Sequence, residues 1–305
     1  MSRVLITGAT GFIGRHCLPS LLARGYEVHA VTAHTPRIDL PGVVWHQADL
    51  LDATQTIALV AQVQPSHLLH LAWYVTPGKF WTAPENLAWV AASLALVQTF
   101  VAHGGKRAVI SGTCAEYDWR YGYCVEAVTP LAPTTLYGAA KHALQMLSTA
   151  YAAQQSLSMA WGRIFFLYGP YEPPVRFVAS VVRSLLRDEA ARCSHGRQVR
   201  DLLYVQDVAD AFVALLASDV QGPVNIGSGS PVTLGEVACL LGQAIGRLDL
   251  IKLGAIDAPA DDPPLLVAAI TRLHSEVGWR PTYTLQDGLA QTINWWRQHP
   301  EMQNN

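Results

Sequence analysis

Three glycines at a fixed spacing constrain the fold of this chain more than any other feature. Gly8, Gly11 and Gly14 follow a short β-branched run at residues 4–6 and precede an apolar helical pattern. Glycines in a strand-to-helix turn let the backbone approach a pyrophosphate closely, and the helix amino terminus favours the anion. We therefore predict a dinucleotide-binding turn rather than a tight packing turn alone. The candidate cofactor contacts in this turn are Gly8, Thr10, Gly11, Phe12, Ile13 and Gly14.

Strand and helix patterns alternate after this turn. Further strands are predicted at residues 27–31, 43–46, 68–72 and 108–110, with helices at 53–63, 86–103 and 136–153. Parallel strands need crossover connections, and right-handed crossovers place helices on both faces of the sheet. The sequence predicts an α/β fold with a Rossmann-type doubly wound parallel sheet.

The pattern changes near residue 170, where prolines at 170, 173 and 174 interrupt the chain. Helices are predicted beyond this point at residues 175–187, 207–217, 233–245 and 285–297. We predict a dinucleotide-binding domain at residues 1–169 and a smaller, mostly C-terminal α/β substrate-binding domain at 170–305. A segment near 203–222 is expected to return to the first domain.

Composition narrows the functional class. Of 305 residues, 50% are hydrophobic and 14% charged, with 21 basic residues against 23 acidic ones, which argues against disorder and against a nucleic-acid partner. The five cysteines are odd in number and none form a Cys-X-X-Cys pair, so we expect neither disulfides nor a metal site. The first apolar run is too short for a signal sequence, and we interpret the chain as a cytoplasmic protein without a membrane partner.

The nicotinamide cofactor predicted from the glycines is NADP rather than NAD. A carboxylate about 20 residues after the glycines would bind the ribose 2′-hydroxyl of NAD, but residues 30–34 contain none. A 2′-phosphate is tolerated there, and Arg37, Arg15 or Arg3 can pair with it. NAD stays the alternative cofactor.

Tyr137 and Lys141 form the candidate acid–base pair. They begin a predicted helix, and a separation of four places them on one face, about 6 Å apart along the axis. Free tyrosine titrates near pH ~10, so proton transfer near neutrality requires its pKa to be lowered by the lysine cation and an oxidised nicotinamide ring. Thr113 ends the fifth predicted strand, where it offers its hydroxyl either to the same reacting oxygen or to a local turn.

These features together resemble the extended short-chain dehydrogenase/reductase family of nucleotide-sugar epimerases, dehydratases and ketoreductases. The similarity extends over residues 3–297. It is carried by the glycine triplet, by Thr113, Tyr137 and Lys141, and by the segments at 49–50 (DL), 70–72 (HLA), 163–170 (RIFFLYGP), 196–207 (GRQVRDLLYVQD), 225–228 (NIGS) and 277–281 (VGWRP).

The resemblance implies roles for further residues. Asp49, with Leu50 beside it, would contact the adenine, and Lys141 would also hold the nicotinamide ribose. Arg200 would meet the phosphate of a sugar nucleotide. The helices at 86–103 and 136–153 resemble the pair that forms a homodimer interface in this family. The residues expected to flank the cofactor are Leu71, Ala72 and Trp73.

Departures from the family pattern reduce the number of reactions expected for this chain. Dehydratases of the family carry acidic residues directly after the threonine, where this chain has Cys114 and Ala115. Glu116 comes one residue later, and a shift of one residue in an extended segment turns a side chain to the other face. Dehydration is therefore disfavoured. Cys114 lies one position too early for the family's acid–base cysteine, and we retain it as a candidate substrate contact.

The substrate phosphate site also departs from the pattern. Phe166 replaces an asparagine that helps to bind the diphosphate, and Trp89 replaces another asparagine, with Asn86 one turn earlier. Either Arg200 or Arg176 holds the diphosphate, or the substrate is not a sugar nucleotide. Four aromatic residues are candidate pocket walls, or else core residues: Trp73, Tyr74, Trp81 and Trp119.

Three functions remain open from the sequence. The preferred one is an NAD(P)-dependent oxidoreductase that transfers hydride at a sugar carbon of a nucleotide sugar, as an epimerase or 4-ketoreductase. A nucleotide-sugar 4,6-dehydratase is disfavoured by Cys114 and Ala115. A non-catalytic NADP-sensing regulator is disfavoured because it would not need Thr113, Tyr137 and Lys141 as a proton relay.

Overall fold

The computed structural model describes residues 2–303 except 36, 37 and 39, so Arg37 lies outside the described residues. The strands are β1 (Arg3–Thr7), β2 (Glu27–Thr32), β3 (Val43–Gln47), β4 (His67–His70), β5 (Arg107–Thr113), β6 (Tyr123–Cys124), β7 (Ser158–Ile164), β8 (Phe166–Tyr168), β9 (Ala191–Arg192), β10 (Val199–Tyr204), β11 (Gly222–Ile226), β12 (Pro231–Thr233), β13 (Ile251–Lys252) and β14 (Leu265–Ala268). The α-helices are α1 (Gly14–Ala23), α2 (Ala53–Val63), α3 (Glu85–Ala102), α4 (Leu136–Gln154), α5 (Phe177–Leu186), α6 (Val205–Ala217), α7 (Leu234–Ile245), α8 (Thr271–Ser275) and α9 (Leu285–Gln298).

A parallel sheet of seven strands forms the larger layer, in the order β3-β2-β1-β4-β5-β7-β11. One face packs on a core shared with α1 and α6, and the other on a core shared with α2, α3 and α4. The predicted doubly wound fold class is confirmed. The chain runs outward from β1 to β3 and then crosses back to β4, so the crevice for a ligand opens between β1 and β4 at their carboxyl ends.

The fourth strand is shorter than the sequence pattern suggests. Residues 68–72 are predicted as a strand, but β4 ends at His70. The backbone N–H groups of Leu71 and Ala72 both donate to the Thr7 hydroxyl, at 3.1 Å each. The chain therefore turns toward the end of β1 at this point. The first helix runs through Pro19.

The smaller sheet is built from segments on both sides of residue 170. Its order is β12-β10-β14-β6, and β8 pairs with the second half of β10. After β10 the chain enters α6, which packs on α1, and then β11 at the edge of the large sheet. The domain boundaries at 169 and 170 stay a prediction.

Two surveys of the described residues bear on other classes of site. In that part of the chain, no group of three or more His, Cys, Asp or Glu side chains is placed to hold a metal ion. By length and composition alone, α3 is apolar enough to cross a membrane, and 28% of it is buried in the protein. Its inner face carries the buried polar residues Asn86 and Ser93 and packs against α2 and α4.

Candidate active site

The glycine turn is held by close backbone contacts. Gly8 has φ +68° and accepts a hydrogen bond from the Gly11 N–H at 2.9 Å. A Cβ at Gly14 would lie 2.1 Å from the Gly8 carbonyl oxygen, and one at Gly8 would lie 2.8 Å from the Ala72 nitrogen. Side chains at these two positions would therefore separate β1 from α1 and from the end of β4.

Gly11 leaves the outer side of the turn open. An added Cβ there would meet only the Gly8 carbonyl, with the oxygen at 3.0 Å, and the residue is exposed. The turn leads directly into α1, whose first N–H groups have no partner within the helix. An open glycine backbone at a helix amino terminus fits a dinucleotide pyrophosphate. Thr10, Phe12 and Ile13 lie half-buried around it.

A buried polar chain fixes the segment that follows β4. Thr7 Oγ1 lies 2.7 Å from His70 Nδ1, and His70 Nε2 lies 2.8 Å from Ser93 Oγ. Because Thr7 already accepts two backbone N–H groups, its own proton goes to Nδ1, which leaves Nε2 to donate to Ser93. Burial lowers the pKa of His70 to about 3, so the imidazole is neutral. This series of hydrogen bonds positions Leu71 and Ala72 beside Gly8. Sequence analysis did not identify the structural role of Thr7, His70 and Ser93.

The residues expected on the adenosine side are placed as follows. Asp49 is exposed and accepts the Leu51 N–H at 3.0 Å, while Leu50 is buried. Arg15 donates to the Thr10 carbonyl at 2.8 Å and lies 3.9 Å from the centre of the Tyr171 ring.

Arg3 is not at this site. It pairs with Glu27 at 3.0 Å at the amino-terminal end of β1, whereas the glycine turn follows the carboxyl end of the same strand. The expectation that Arg3 could meet a 2′-phosphate is therefore wrong. Arg37, the third candidate, lies outside the described residues.

Strand β5 and helix α4 bring the predicted catalytic residues together. The hydroxyl groups of Tyr137 and Thr113 share a hydrogen bond, and Lys141 Nζ donates to the Ser111 carbonyl at 2.8 Å. Ser111 and Thr113 are alternate residues of β5, so they lie on the same face of the strand. Both side chains from α4 thus reach the carboxyl end of β5. Thr113 also accepts the Ala115 N–H, so it serves the local turn as well.

Gly138 permits this approach. A Cβ at Gly138 would lie 2.3 Å from the Ala115 carbonyl oxygen. Thr135 caps the helix by accepting the Gly138 N–H at 3.1 Å. The first turn of α4 can therefore pack directly against the chain that leaves β5, and Tyr137 is carried to Thr113.

Burial dominates the electrostatics of the pair. Burial raises the pKa of Tyr137, and the hydrogen bond with Thr113 acts against that rise. Burial also lowers the pKa of Lys141 to about 7, against the opposing charge of Glu116. The ammonium of Lys141 lies 3.9 Å from the centre of the Trp73 ring. Removal from water has the larger effect on both groups, and the lowering of the phenol pKa by the lysine with an oxidised nicotinamide stays a prediction.

Asn86 holds the tryptophan that faces Lys141. Trp73 Nε1 donates to Asn86 Oδ1 at 2.8 Å, and Asn86 Nδ2 donates to the carbonyls of Phe80 and Ala83, both at 2.8 Å. Asn86 is fully buried. It orders the whole segment from Trp73 to Ala83. Trp89, at the family's asparagine position, packs beside Trp73 with ring centroids 6.1 Å apart.

Aromatic rings form a wall around Tyr137. The ring centroid of Phe80 lies 4.9 Å from that of Tyr137, that of Trp81 lies 5.7 Å away, and Trp119 packs edge-on against Trp81. Trp81 and Trp119 are thus part of the wall, whereas Trp73 faces Lys141 and Tyr74 is half-buried beside it. Phe80 was missed by sequence analysis. Beside this wall lies a cavity of about 520 Å³, lined by Pro77, Gly78, Phe80, Trp81, Val175 and Arg176.

Glu116 is turned away from the reacting side of Thr113. Its Oε1 accepts the Thr113 backbone N–H at 2.8 Å, and its Oε2 pairs with Arg163 Nε at 2.8 Å. Trp161 Nε1 donates to the same carboxylate at 2.9 Å. This carboxylate supports the end of β5 from beneath. Cys114 is buried, and burial raises the pKa of its thiol, which makes it a poor proton donor.

Arg200 pairs with a carboxylate that lines a second cavity. Its buried guanidinium pairs with Asp262, donates to the Val199 carbonyl at 2.9 Å, and lies 5.2 Å from the centre of the Phe166 ring. Asp262 also accepts from Gln198 at 3.1 Å and lines a cavity of about 360 Å³. The Arg200 charge also acts against the burial that raises the pKa of the Cys114 thiol.

Arg176 stands apart from Arg200. Its backbone begins α5, and among the residues the structure describes its side chain makes no ion pair or hydrogen bond. Burial raises the pKa of Tyr137 and of Glu172, and the charge of Arg176 acts against both of these rises. Arg176 is therefore a cation that faces the Tyr137 cavity without a direct partner in the described chain.

Comparisons with known proteins agree with this geometry. UDP-glucuronic acid decarboxylase 1 of Xenopus tropicalis is 26% identical over 99% of this chain and 74% of its own length. The UDP-glucose 4-epimerase of Thermus thermophilus, solved in complex with NAD, is 28% identical with a TM-score of 0.85, over 97% of this chain and 99% of that one. MoeE5, solved in complex with UDP-glucuronic acid and NAD, is 30% identical with a TM-score of 0.83 over the same shares.

The family model covers most of the chain. The model for the NAD dependent epimerase/dehydratase family matches residues 4–227, from β1 to the start of the segment after β11. The resemblance inferred from the glycine triplet, Tyr137 and Lys141 is confirmed. The chain belongs to the NAD-dependent epimerase/dehydratase family, a family of enzymes within the extended short-chain dehydrogenases/reductases.

Proposed function

We propose that this enzyme transfers hydride at a carbinol or keto carbon of a nucleotide sugar, as an epimerase or 4-ketoreductase. The observation that carries the proposal is the meeting of Tyr137 with Thr113 at the carboxyl end of β5, with Lys141 anchored on Ser111. These groups lie beside the crevice that the glycine turn opens for a dinucleotide. A protein that only binds the cofactor has no use for this arrangement of proton-transfer groups.

The chain's own residues supply proton transfer and positioning. A bound nicotinamide supplies the hydride acceptor and donor. Tyr137 takes the proton from the sugar hydroxyl in oxidation and returns it in reduction, while Thr113 holds the same oxygen by a hydrogen bond. Lys141, anchored on the Ser111 carbonyl, would hold the nicotinamide ribose by a hydrogen bond when the cofactor is bound. Phe80 and Trp81 pack edge-on against the ring of Tyr137 and hold it in place.

Dehydration is not favoured by the residues around Thr113. Cys114 and Ala115 stand where an acid–base pair for removal of water would be needed, and Glu116 is engaged by Arg163 and Trp161. A carboxylate fixed by a buried cation is unable to exchange protons with a substrate in the cavity. The epimerase or ketoreductase reaction needs none of these additional groups.

The diphosphate of the substrate is assigned to Arg200. This arginine pairs with Asp262, which lines the second cavity, and the Phe166 ring lies against it at the position of the family's asparagine. Planar stacking and a bidentate fork suit arginine to a phosphate. The nucleotide would then occupy the cavity beside Gln198 and Asp262.

We propose NADP as the preferred cofactor. The support is the end of β2, where Thr32, Ala33 and His34 offer no carboxylate to a ribose 2′-hydroxyl. Both solved relatives described above were determined with NAD. Titration of the protein with both cofactors tests the preference, and equal or tighter binding of NAD would contradict it.

We also propose a homodimer through α3 and α4. These helices pack on each other and leave Leu87, Met146 and Leu147 more than half exposed on their outer faces. A second copy of the same helices would cover these apolar side chains. Light scattering tests the proposal, and a monomeric mass would contradict it.

A screen of sugar nucleotides and their 4-keto forms, with product analysis by NMR, tests the reaction. Tyr137→Phe should reduce turnover by about 10²- to 10⁴-fold, because the proton-transfer group is removed, and should leave cofactor binding unchanged. Tyr26→Phe is the matched control, because Tyr26 packs on His67 at the opposite end of the sheet. Full turnover by Tyr137→Phe would contradict the assigned role, and absence of turnover by the native enzyme with every substrate would favour the sensor.

The two reactions are separable in the same assay. An epimerase keeps its cofactor through the cycle, so the absorbance of reduced nicotinamide shows no net change. A ketoreductase consumes one reduced cofactor for each product formed.

A further inference from the structure

Arg176 is a cation at the sugar side of the site that the proposed mechanism does not use. The cavity that it lines is otherwise walled by Pro77, Phe80, Trp81 and Val175, with the backbone of Gly78. None of these side chains accepts a hydrogen bond, and only the indole of Trp81 donates one. A neutral hydroxyl placed in this cavity would therefore gain little in return for its lost hydration.

The nearest carboxylate does not neutralise Arg176 by contact. Glu172 is buried, and its hydrogen bonds come from the backbone of Gly169 and Ala179. Among the described residues its Oε2 has no hydrogen-bond partner. Arg176 acts on Glu172 through charge alone, so the donors of its guanidinium remain free for a ligand.

The position of Arg176 decides which part of a substrate it meets. Phe80 and Trp81 are in ring contact with Tyr137 and also line the cavity that contains Arg176. Tyr137 acts on a carbon of the sugar ring, so the adjoining space belongs to a substituent of that ring. The diphosphate is assigned to Arg200, whose partner Asp262 lines the other cavity.

We propose that Arg176 binds a carboxylate carried by the sugar, so that the substrate is a nucleotide-linked uronic acid. This inference rests on the proposed function, whose sugar it specifies. A guanidinium matches a carboxylate with two parallel N–H···O bonds. Two relatives act on or bind UDP-glucuronic acid, according to the name of one and the solved complex of the other. Proteins with this fold can therefore accept a sugar that carries a carboxylate.

Three ligands that differ only at C6 test the assignment. UDP-glucuronic acid carries a carboxylate, UDP-glucose a hydroxymethyl group, and UDP-xylose no C6 carbon. With the cofactor bound, we expect UDP-glucuronic acid to bind the native enzyme about ten- to a hundredfold more tightly than the other two ligands. A hydrogen-bonded pair between two charged groups contributes an affinity difference of this size. Arg176→Gln should abolish this difference and leave the Kd of UDP-glucose within about twofold. Arg176→Lys should retain part of it.

The control is Arg24→Gln, an exposed arginine after α1, which should bind all three ligands as the native enzyme does. Equal affinity of the native enzyme for all three ligands would overturn the inference while leaving the proposed function intact. So would an equal loss for all three in Arg176→Gln, since that is the signature of a phosphate contact. Binding of NAD or NADP without binding of any sugar nucleotide would instead overturn the proposed function together with the inference.

Discussion

Two buried arginines, one in each sheet, each pair with a single carboxylate in different surroundings. Arg163 and Glu116 have side chains 1% and 0% exposed, and Tyr117 and Trp161 complete their hydrogen bonds. Arg200 is 3% exposed, but its partner Asp262 is 27% exposed and lines a cavity. The first pair is closed on every side, while the second opens toward the space assigned to a nucleotide.

The difference teaches when a buried arginine is available to a ligand. If Glu116 leaves, the charge of Arg163 stays behind without water, which is costly. If Asp262 moves aside, a phosphate can take its place, and Arg200 keeps an anionic partner throughout. Glu116–Arg163 is therefore a support beneath the catalytic edge, and Arg200–Asp262 is a pair that a substrate can exchange.

The largest expected effect is on the closed pair. Glu116→Gln keeps the shape of the side chain but leaves Arg163 without a counter-charge, and we expect it to lower the free energy of unfolding by about 3–5 kcal/mol. Asp262→Asn is the matched control and should lower it by about 1 kcal/mol or less, because water reaches that pair. Chemical denaturation of both variants measures the difference. Equal losses would show that the two pairs are not distinct in the way their exposure indicates.

The second effect concerns the open pair and is measured by binding. Arg200→Gln should weaken UDP binding by about ten- to a hundredfold, because a charged hydrogen-bond donor to the phosphate is lost. Cofactor binding should be unchanged, since the glycine turn lies in the other sheet. Arg192→Gln, an exposed arginine near the same sheet, should leave both affinities unchanged. Unchanged UDP binding by Arg200→Gln would remove the phosphate assignment.

Some of this site follows from the sequence because its chemistry is local. The turn at Gly8, Gly11 and Gly14 depends on backbone contacts within a few residues, and a Cβ at Gly14 would strike the Gly8 carbonyl. Tyr137 and Lys141 share a face because of helical periodicity alone. The doubly wound sheet follows from alternating patterns of strand and helix in the same manner.

Other parts of the site are assembled from distant segments and leave no pattern in the chain. The cavity beside Tyr137 joins residues 77–81 to residues 175 and 176, and the support under Thr113 joins Glu116 to Arg163. Whether a buried arginine is accessible to a ligand depends on the exposure of its carboxylate partner. The spacing of residues along the sequence does not indicate that exposure. The burial that raises the pKa of Tyr137 is hidden from the sequence for a related reason. Its distance from Lys141 follows from the helix, but the degree of burial that dominates both groups does not.

The smallest expected effect is the shift that the Glu116 charge imposes on the titration of Lys141. Burial lowers the pKa of this lysine from 10.5 to about 7, and the charge of Glu116 acts against that shift. Between these two pH values the unfolded chain holds a proton that the folded chain has released, so this group makes the folded state more stable as pH rises above about 7. Lys141→Met removes the contribution, and the difference in free energy of unfolding between native protein and this variant measures it across a pH series.

Removal of the Glu116 charge should shift that contribution in a known direction. Without the carboxylate the ammonium loses a favourable neighbour, so the pKa of Lys141 should fall further. The rise in stability should therefore begin at a lower pH when Glu116→Gln is compared with the double variant that also carries Lys141→Met. The same comparison made on Asp262→Asn should leave the onset where it is in the native protein. An onset that moves with Asp262 rather than with Glu116 would place the open pair, and not the closed one, in electrostatic contact with the catalytic lysine.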